Sequence, residues 1–142
     1  MANTKPIGVA YEDQNIIGAT TVQAANILTT GQIGYAAGAY GTVTQQNNKT
    51  TGVTVNSSSG QITTANSQLA PSANSVFVVT NSQVSSKDVV TCSVSSGGTV
   101  GAYDVFVAAI TDGSFTIVIK NITNNAYSEA LVLNFALLHT VT

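Results

Sequence analysis

From Thr42 to Leu138 the chain is written in short runs whose apolar and polar residues alternate with a period of two. That is the period of a strand with one side on a core; an amphipathic helix repeats its apolar residues at three and four. Val53 and Val55 alternate with Thr54 and Asn56, and a turn at Ser57–Gly60 leads to Gln61–Ala65, with Ile62 inward. Ser75–Thr80 is apolar on both faces through Val76, Phe77, Val78 and Val79. Asp88–Val94 sets Val90, Cys92 and Val94 on one face, before a turn at Gly97-Gly98. Ala102–Ile110 sets Tyr103, Val105, Val107 and Ala109 on one face and Phe106, Ala108 and Ile110 on the other. Asp112-Gly113 is a hairpin signal ahead of Ser114–Lys120, where Phe115, Ile117 and Ile119 share a face. After an Asn-rich turn, Glu129–Leu138 alternates strictly through Leu131, Leu133, Phe135 and Leu137. About seven short strands separated by turn signals predict an all-β fold, a β-sandwich of jelly-roll or immunoglobulin-like type.

The stretch before Thr42 has a different character, and the pattern predicts an extended N-terminal arm over residues 1–41 and a sandwich domain over 42–142. Within the arm, Val22, Ala24, Ala25, Ile27 and Leu28 fit a short helix over Thr21–Thr30, capped by Thr20 or Thr21 and ended by Gly31. Gly31, Gly34, Gly38 and Gly41 then surround Ile33, Tyr35 and Tyr40. So many glycines suit a loop, or a chain lying close along another surface.

Charge decides which functions this framework can carry. The 142 residues hold four lysines, six acids, one histidine and no arginine, and the charged fraction is 7%. A mean hydropathy of +0.26 with a net charge of -2 favours a folded chain over a disordered one. Faces of Thr, Asn and Gln can pack on another protein without desolvating charges, so the composition favours assembly. Four dispersed lysines cannot neutralise many phosphates, which argues against a nucleic-acid partner. No apolar stretch nears the ~20 residues of a membrane helix, so no membrane partner is expected. One cysteine, Cys92, permits no internal disulfide, and Met1–Thr4 opens no cationic leader. The expectation is a protein made in a reducing cytoplasm.

Candidate chemistry is sparse. His139 has Leu138, Thr140 and Val141 beside it, and these supply neither acid nor nucleophile for general-base work. Cys92, in mid-strand between Thr91 and Ser93, reads as a buried, inert thiol. No D-x-D-x-D spacing joins Glu12-Asp13 to Asp88, Asp104 or Asp112, so no metal and no cofactor is expected. Gly97–Gly101 has glycines but no following Lys-Ser/Thr and no helix, and reads as a turn rather than a phosphate loop. An autocatalytic Lys–Asn bond would need a buried lysine beside an asparagine and a carboxylic acid, and a buried charged lysine is costly.

The region 42–138 carries Thr44-Gln45, Lys49-Thr50-Thr51-Gly52-Val53-Thr54-Val55, Gly60-Gln61-Ile62, Asn81-Ser82, Asp88-Val89-Val90, Gly113-Ser114-Phe115, Asn121 and Ser128-Glu129-Ala130. In this register it resembles a β-sandwich domain of structural proteins of tailed bacteriophages, marine ones especially, over about two thirds of the chain. The resemblance implies a non-enzymatic virion building unit. A short chain of this kind is similar to capsid cement or decoration proteins, which commonly sit as trimers on the outer capsid surface. The expected partners are then the major capsid protein and two further copies of the chain. The alternative is a tail or head fibre module recognising host surface glycans, through loops at Ser57–Gly60, Gln68–Asn74 and Ser95–Gly101. The missing tryptophan weakens that alternative. Arm contacts are expected from Ile7, Val9, Tyr11, Ile16, Ile17, Tyr35 and Tyr40, apolar or aromatic residues outside the sandwich pattern. Leu133, Phe135, Leu137 and His139 are the expected subunit-interface residues.

Overall fold

The computed structural model of the chain describes residues 26–140. The chain divides into two compact units, Met1–Ile33 and Gly34–Thr142. In the first, residues 26–33 form no helix, and the Gly31 N–H donates to Thr29 Oγ1 at 3.0 Å. The helix predicted over Thr21–Thr30 is therefore absent from its second half; its first half lies outside the described residues. β-branched and threonine side chains lose rotamer freedom in a helix, and Ile27, Leu28 and Ile33 are all exposed, so no burial repays it.

The second unit opens with a 3₁₀ turn at Ala37–Ala39 and continues as ten strands. These are β1 (Tyr40–Thr44), β2 (Val53–Thr54), β3 (Ser59–Thr63), β4 (Gln68–Leu69) and β5 (Asn74–Thr80), then β6 (Val89–Gly97), β7 (Tyr103–Thr111), β8 (Ser114–Asn121), β9 (Tyr127–Ser128) and β10 (Leu131–Leu138). One four-stranded sheet has the order β1-β3-β10-β6, a second β2-β5-β8-β7, and β4 pairs with β9 in a small third. The two large sheets make the predicted sandwich. Most neighbours are antiparallel, but β1 runs parallel to β3, and β2 parallel to β5. Tyr40 and Gly41, assigned to the arm from sequence, are the first residues of β1.

The core follows the alternation. Leu131, Leu133, Phe135 and Leu137 of β10 and Phe115, Ile117 and Ile119 of β8 are all buried and meet between the sheets. The Phe115 and Phe135 rings, one from each sheet, tilt against each other at 5.6 Å. Two predicted faces change. In β7 the register with β8 shifts between Val107 and Ala109, leaving Ala108 as a bulge. One inserted residue flips the parity, so Ile110 packs on the core with Tyr103, Val105 and Val107, and Ala109 faces out. A second bulge, at Ser95 of β6, lies opposite Val132/Leu133. Val94 precedes it at the open edge of the sandwich and is exposed instead of sharing the burial of Val90.

The hairpin at Asp112-Gly113 forms as predicted, with Gly113 at φ +80°. It also serves the neighbouring loop: the Asn81 N–H donates to the Gly113 carbonyl and the Gly113 N–H to the Val84 carbonyl, both at 2.9 Å. A different glycine pair permits the parallel β1–β3 contact. Gly41 and Gly60 are direct partners, and a Cβ on Gly60 would collide with the Gly41 carbonyl oxygen. Gly60→Ala should therefore lower stability by about 1–3 kcal/mol in urea denaturation. Gly38→Ala, where a Cβ meets nothing within 4 Å, should leave the midpoint unchanged.

Candidate functional site

The polar residues that the sandwich buries are its most distinctive chemistry. Gln45, Lys49, Asn81, Asp88 and Asn121 are each at most 5% exposed, and all five belong to the motif positions quoted above. Lys49 reaches inward from the β1–β2 connection. Its Nζ donates to the carbonyls of Ala65, Ser67 and Glu129, each at 2.7 Å. Three acceptors match the three N–H groups of the ammonium one for one. Burial pulls its pKa below the ordinary 10.5, and the negative charge of Glu129 pushes back. The lysine thus ties together three segments far apart in sequence. Gln45 adds to the same knot: its Nε2 donates to Thr51 O at 2.7 Å, and its Oε1 accepts from Ala65 N–H at 3.1 Å.

The two buried asparagines act alike at the ends of β5 and β8. Asn81 Nδ2 donates to Ser57 O at 2.8 Å, while its Oδ1 accepts the Gln83 N–H at 2.9 Å. Asn121 Nδ2 donates to the carbonyls of Leu69, Ala70 and Asn125, and its Oδ1 accepts from the Thr123 N–H and hydroxyl. Each amide replaces water for a loop backbone that has no ladder partner. Among the described residues no asparagine side chain accepts from Lys49, whose three hydrogens are spent on carbonyls. The geometry needed for a Lys–Asn bond is not assembled there.

Glu129, whose negative charge acts on this lysine, makes a second connection. Its Oε1 accepts the Thr99 N–H at 2.6 Å and the Tyr103 hydroxyl at 2.8 Å, and its Oε2 accepts the Thr99 hydroxyl at 3.2 Å. The Thr99 N–H, first among these donors, holds its carboxyl below the usual 4.5. Gly97 and Gly98, at φ +75° and +72°, bend the loop so that Thr99 can reach it. The glycine-rich turn thus meets the chain's own carboxylate. Desolvation, aided by this carboxylate, raises the Tyr103 pKa.

At the other end of β10 the structure joins three residues that are far apart in sequence. His139 Nδ1 lies 2.9 Å from Asp88 Oδ2, and His139 Nε2 lies 3.4 Å from Ser58 Oγ. An ionised Asp88 can only accept, so Nδ1 carries the proton and Nε2 faces the serine. Asp88 also accepts the Ser85 N–H through Oδ2 and the Thr140 N–H through Oδ1. These backbone donors, Ser85 first, then the histidine, hold its carboxyl below 3.8. Tyr35 closes the cluster: its hydroxyl donates to the Leu137 carbonyl and its ring stands edge-on to His139 at 6.4 Å. The order Ser–His–Asp is that of a hydrolase, and sequence reasoning missed it because the partners are 51 and 81 residues from His139. Neither of two clefts of about 300 Å³ at the open edge, however, is lined by Ser58 or His139, although Asp88 stands in the wall of one. The cluster acts as a clasp, fastening Tyr35 and the end of β10 to the start of β6.

Other expected residues fall as follows. Leu133, Phe135 and Leu137 are not interface residues: they are at most 3% exposed, in the chain's own core, because the alternation of β10 turns Val132, Asn134, Ala136 and Leu138 outward instead. His139 is at the surface. Tyr35 and Tyr40 are both about half exposed, Tyr40 on the outer face of β1. Ile7, Val9, Tyr11, Ile16 and Ile17 lie outside the described residues. Cys92 is half-buried, and desolvation pushes its thiol up to about 11. Among the described residues no three His, Cys, Asp or Glu side chains gather as metal ligands, and no helix is long and apolar enough to cross a membrane.

The outer faces of the two sheets differ. Across β1-β3-β10-β6 the register aligns Thr42, Gln61, Asn134 and Ser93 in one row, with Tyr40, Ser59, Ala136 and Thr91 in the next. That face carries no charge. Across β5-β8-β7 the row is Val76, Val118 and Phe106, with Val76 48% and Phe106 44% exposed. Val78, also nearly half exposed, lies in the next row, and only Lys120 and Asp104 bring charge to one end. Comparison with protein-family models, with curated proteins and with solved structures finds no match in any of the three.

Two outcomes are expected. Lys49→Met removes the ammonium from three carbonyls, of which Ala65's keeps the Ser67 N–H, and should cost roughly 3 kcal/mol or more in urea denaturation, whereas Lys87→Met, on an exposed turn, should stay within about 0.5 kcal/mol. The carboxyls of Asp88, Asp112 and Glu129 are all lowered by hydrogen-bond donors, so they stabilise the fold above their ordinary values of 3.8 and 4.5. That contribution is lost as pH falls through the folded-state values. The melting temperature should hold between about pH 7 and 5 and fall below about pH 4, and Asp88→Asn should flatten the decline.

Proposed function

We propose that the protein is a non-enzymatic virion structural protein of the capsid cement or decoration class. It binds the outer capsid surface as a homotrimer and stabilises the shell after synthesis in the host cytoplasm. The observation that carries this reading is the sandwich exterior: one sheet face with no charge and a second on which Val76, Val78 and Phe106 are exposed around the buried Val118. Such surfaces lose little on desolvation when covered by other proteins. The motif resemblance supports the same assignment, since the shared polar positions are the ones that pin loops inside the sandwich. Contacts of modest strength, multiplied over a symmetric shell, supply firm attachment without charged hot spots.

Sedimentation equilibrium should give three times the chain mass of 14.5 kDa. Phe106→Lys, at an exposed position, should weaken that association while leaving circular dichroism unchanged; a monomeric wild type would sink the trimer. Purified protein added to capsids lacking it should appear by electron microscopy as density at three-fold positions of the shell. Density confined to a tail tip or to protruding fibres would favour host recognition instead.

A further inference from the structure

At the open edge of the sandwich, a cleft of about 330 Å³ is lined by residues 94–101 and Tyr103, none of them charged. Its shape comes from backbone devices. The Ser95 bulge frees one residue of β6 from the ladder, and Gly97, Gly98 and Gly101, all at positive φ, fold the following loop back. Glu129 then grips the loop from behind through Thr99 and Tyr103. The Tyr103 ring is pressed against Gly98, where a Cβ would lie 3.1 Å from Cε2, and tilts on Tyr127 at 6.0 Å. The wall is therefore built before any ligand arrives, which lowers the ordering cost of binding.

Its lining is divided. Val94 is 41% and Val100 fully exposed, and beside the partly buried Tyr103 ring they offer an apolar side. Ser95 and Ser96 offer hydroxyls that make no hydrogen bond among the described residues, beside the backbone of a loop with three positive-φ glycines. A sugar ring has this same division, a C–H face and a hydroxyl edge. The volume falls within the ordinary range for a small-molecule site, about 300–1,000 Å³. Charge narrows the class: the nearest ionised group is Glu129, and the lining holds no cation to receive a carboxylate or phosphate.

We infer that the cleft between the Ser95–Gly101 loop and Tyr103 binds the uncharged terminal sugar of a glycan. The apolar wall takes the ring face, and the serine hydroxyls with the loop backbone take its hydroxyls. The inference is independent of where on a virion the chain is mounted. One small cleft gives millimolar affinity for a single sugar, at about -4 kcal/mol, and an array of copies raises it by avidity.

Saturation-transfer NMR tests the purified chain against a panel of neutral and N-acetylated monosaccharides, with sialic acid as the anionic control. At least one neutral sugar should receive transfer at millimolar concentration, and sialic acid should not. Ser96→Trp, which fills the cleft from an exposed position, should abolish transfer, while Ser93→Trp, on the outer face of the same strand, should retain it. One-dimensional spectra establish that both variants are folded. Absence of transfer to every neutral sugar, transfer to sialic acid alone, or transfer that survives Ser96→Trp would each overturn the assignment.

Discussion

The Lys49 ammonium, sealed under the sandwich with three carbonyls at 2.7 Å, is the contact on which the loop architecture depends. Burying a lysine is costly unless each N–H finds an acceptor. Here the acceptors come from the loop after β3 and from the segment before β10, so meeting the charge also fixes where those segments lie. Gln45 repeats the device from β1's end, and Asn81 and Asn121 repeat it at β5 and β8. With few charges available, the chain uses amides and one ammonium to stitch backbone that the ladders leave unpaired.

This gives five of the motif positions a physical meaning. Gln45, Lys49, Asn81, Asp88 and Asn121 stand in the sequence only as motif positions with no assigned role. Each satisfies the protein's own backbone or clasps its own termini. The Ser58, His139 and Asp88 connection belongs here too: its bonds hold the end of β10 and Tyr35 in place, and neither Ser58 nor His139 lines either cleft at the open edge. Chemistry directed inward leaves the exterior to hydroxyls, amides and scattered apolar side chains such as Val76, Val78 and Phe106. That exterior suits packing against other proteins, and at the open edge it suits a small neutral ligand.

The two bulges explain how an edge with two nine-residue strands is kept from simply continuing into another sheet. Ala108 in β7 and Ser95 in β6 each interrupt the ladder at the rim, twisting the edge away from strand addition. The bulge in β6 also opens the cleft beside Val94. One local irregularity thus limits one kind of association and creates room for another.

Period-two alternation was sufficient to place Phe115, Ile117 and Ile119 on one face, to find the hairpin at Asp112-Gly113, and to give Leu131 to Leu137 a common side, because those features are local. It assigned Leu133, Phe135 and Leu137 to an interface only because alternation says which residues share a face, not what covers that face. It could not see the bulges, since an inserted residue leaves no mark on composition, and so Ile110 was turned the wrong way. Nor could it see the parallel β1–β3 pairing, which rests on Gly41 and Gly60 meeting across a crossover. The residue types alone determined a sparsely charged β-sandwich. Only the tertiary structure decided that Lys49 is a buried clamp, that Glu129 fills the glycine-rich turn, and that His139 meets Asp88 and Ser58, because each depends on segments 16 to 81 residues apart being brought within hydrogen-bond reach.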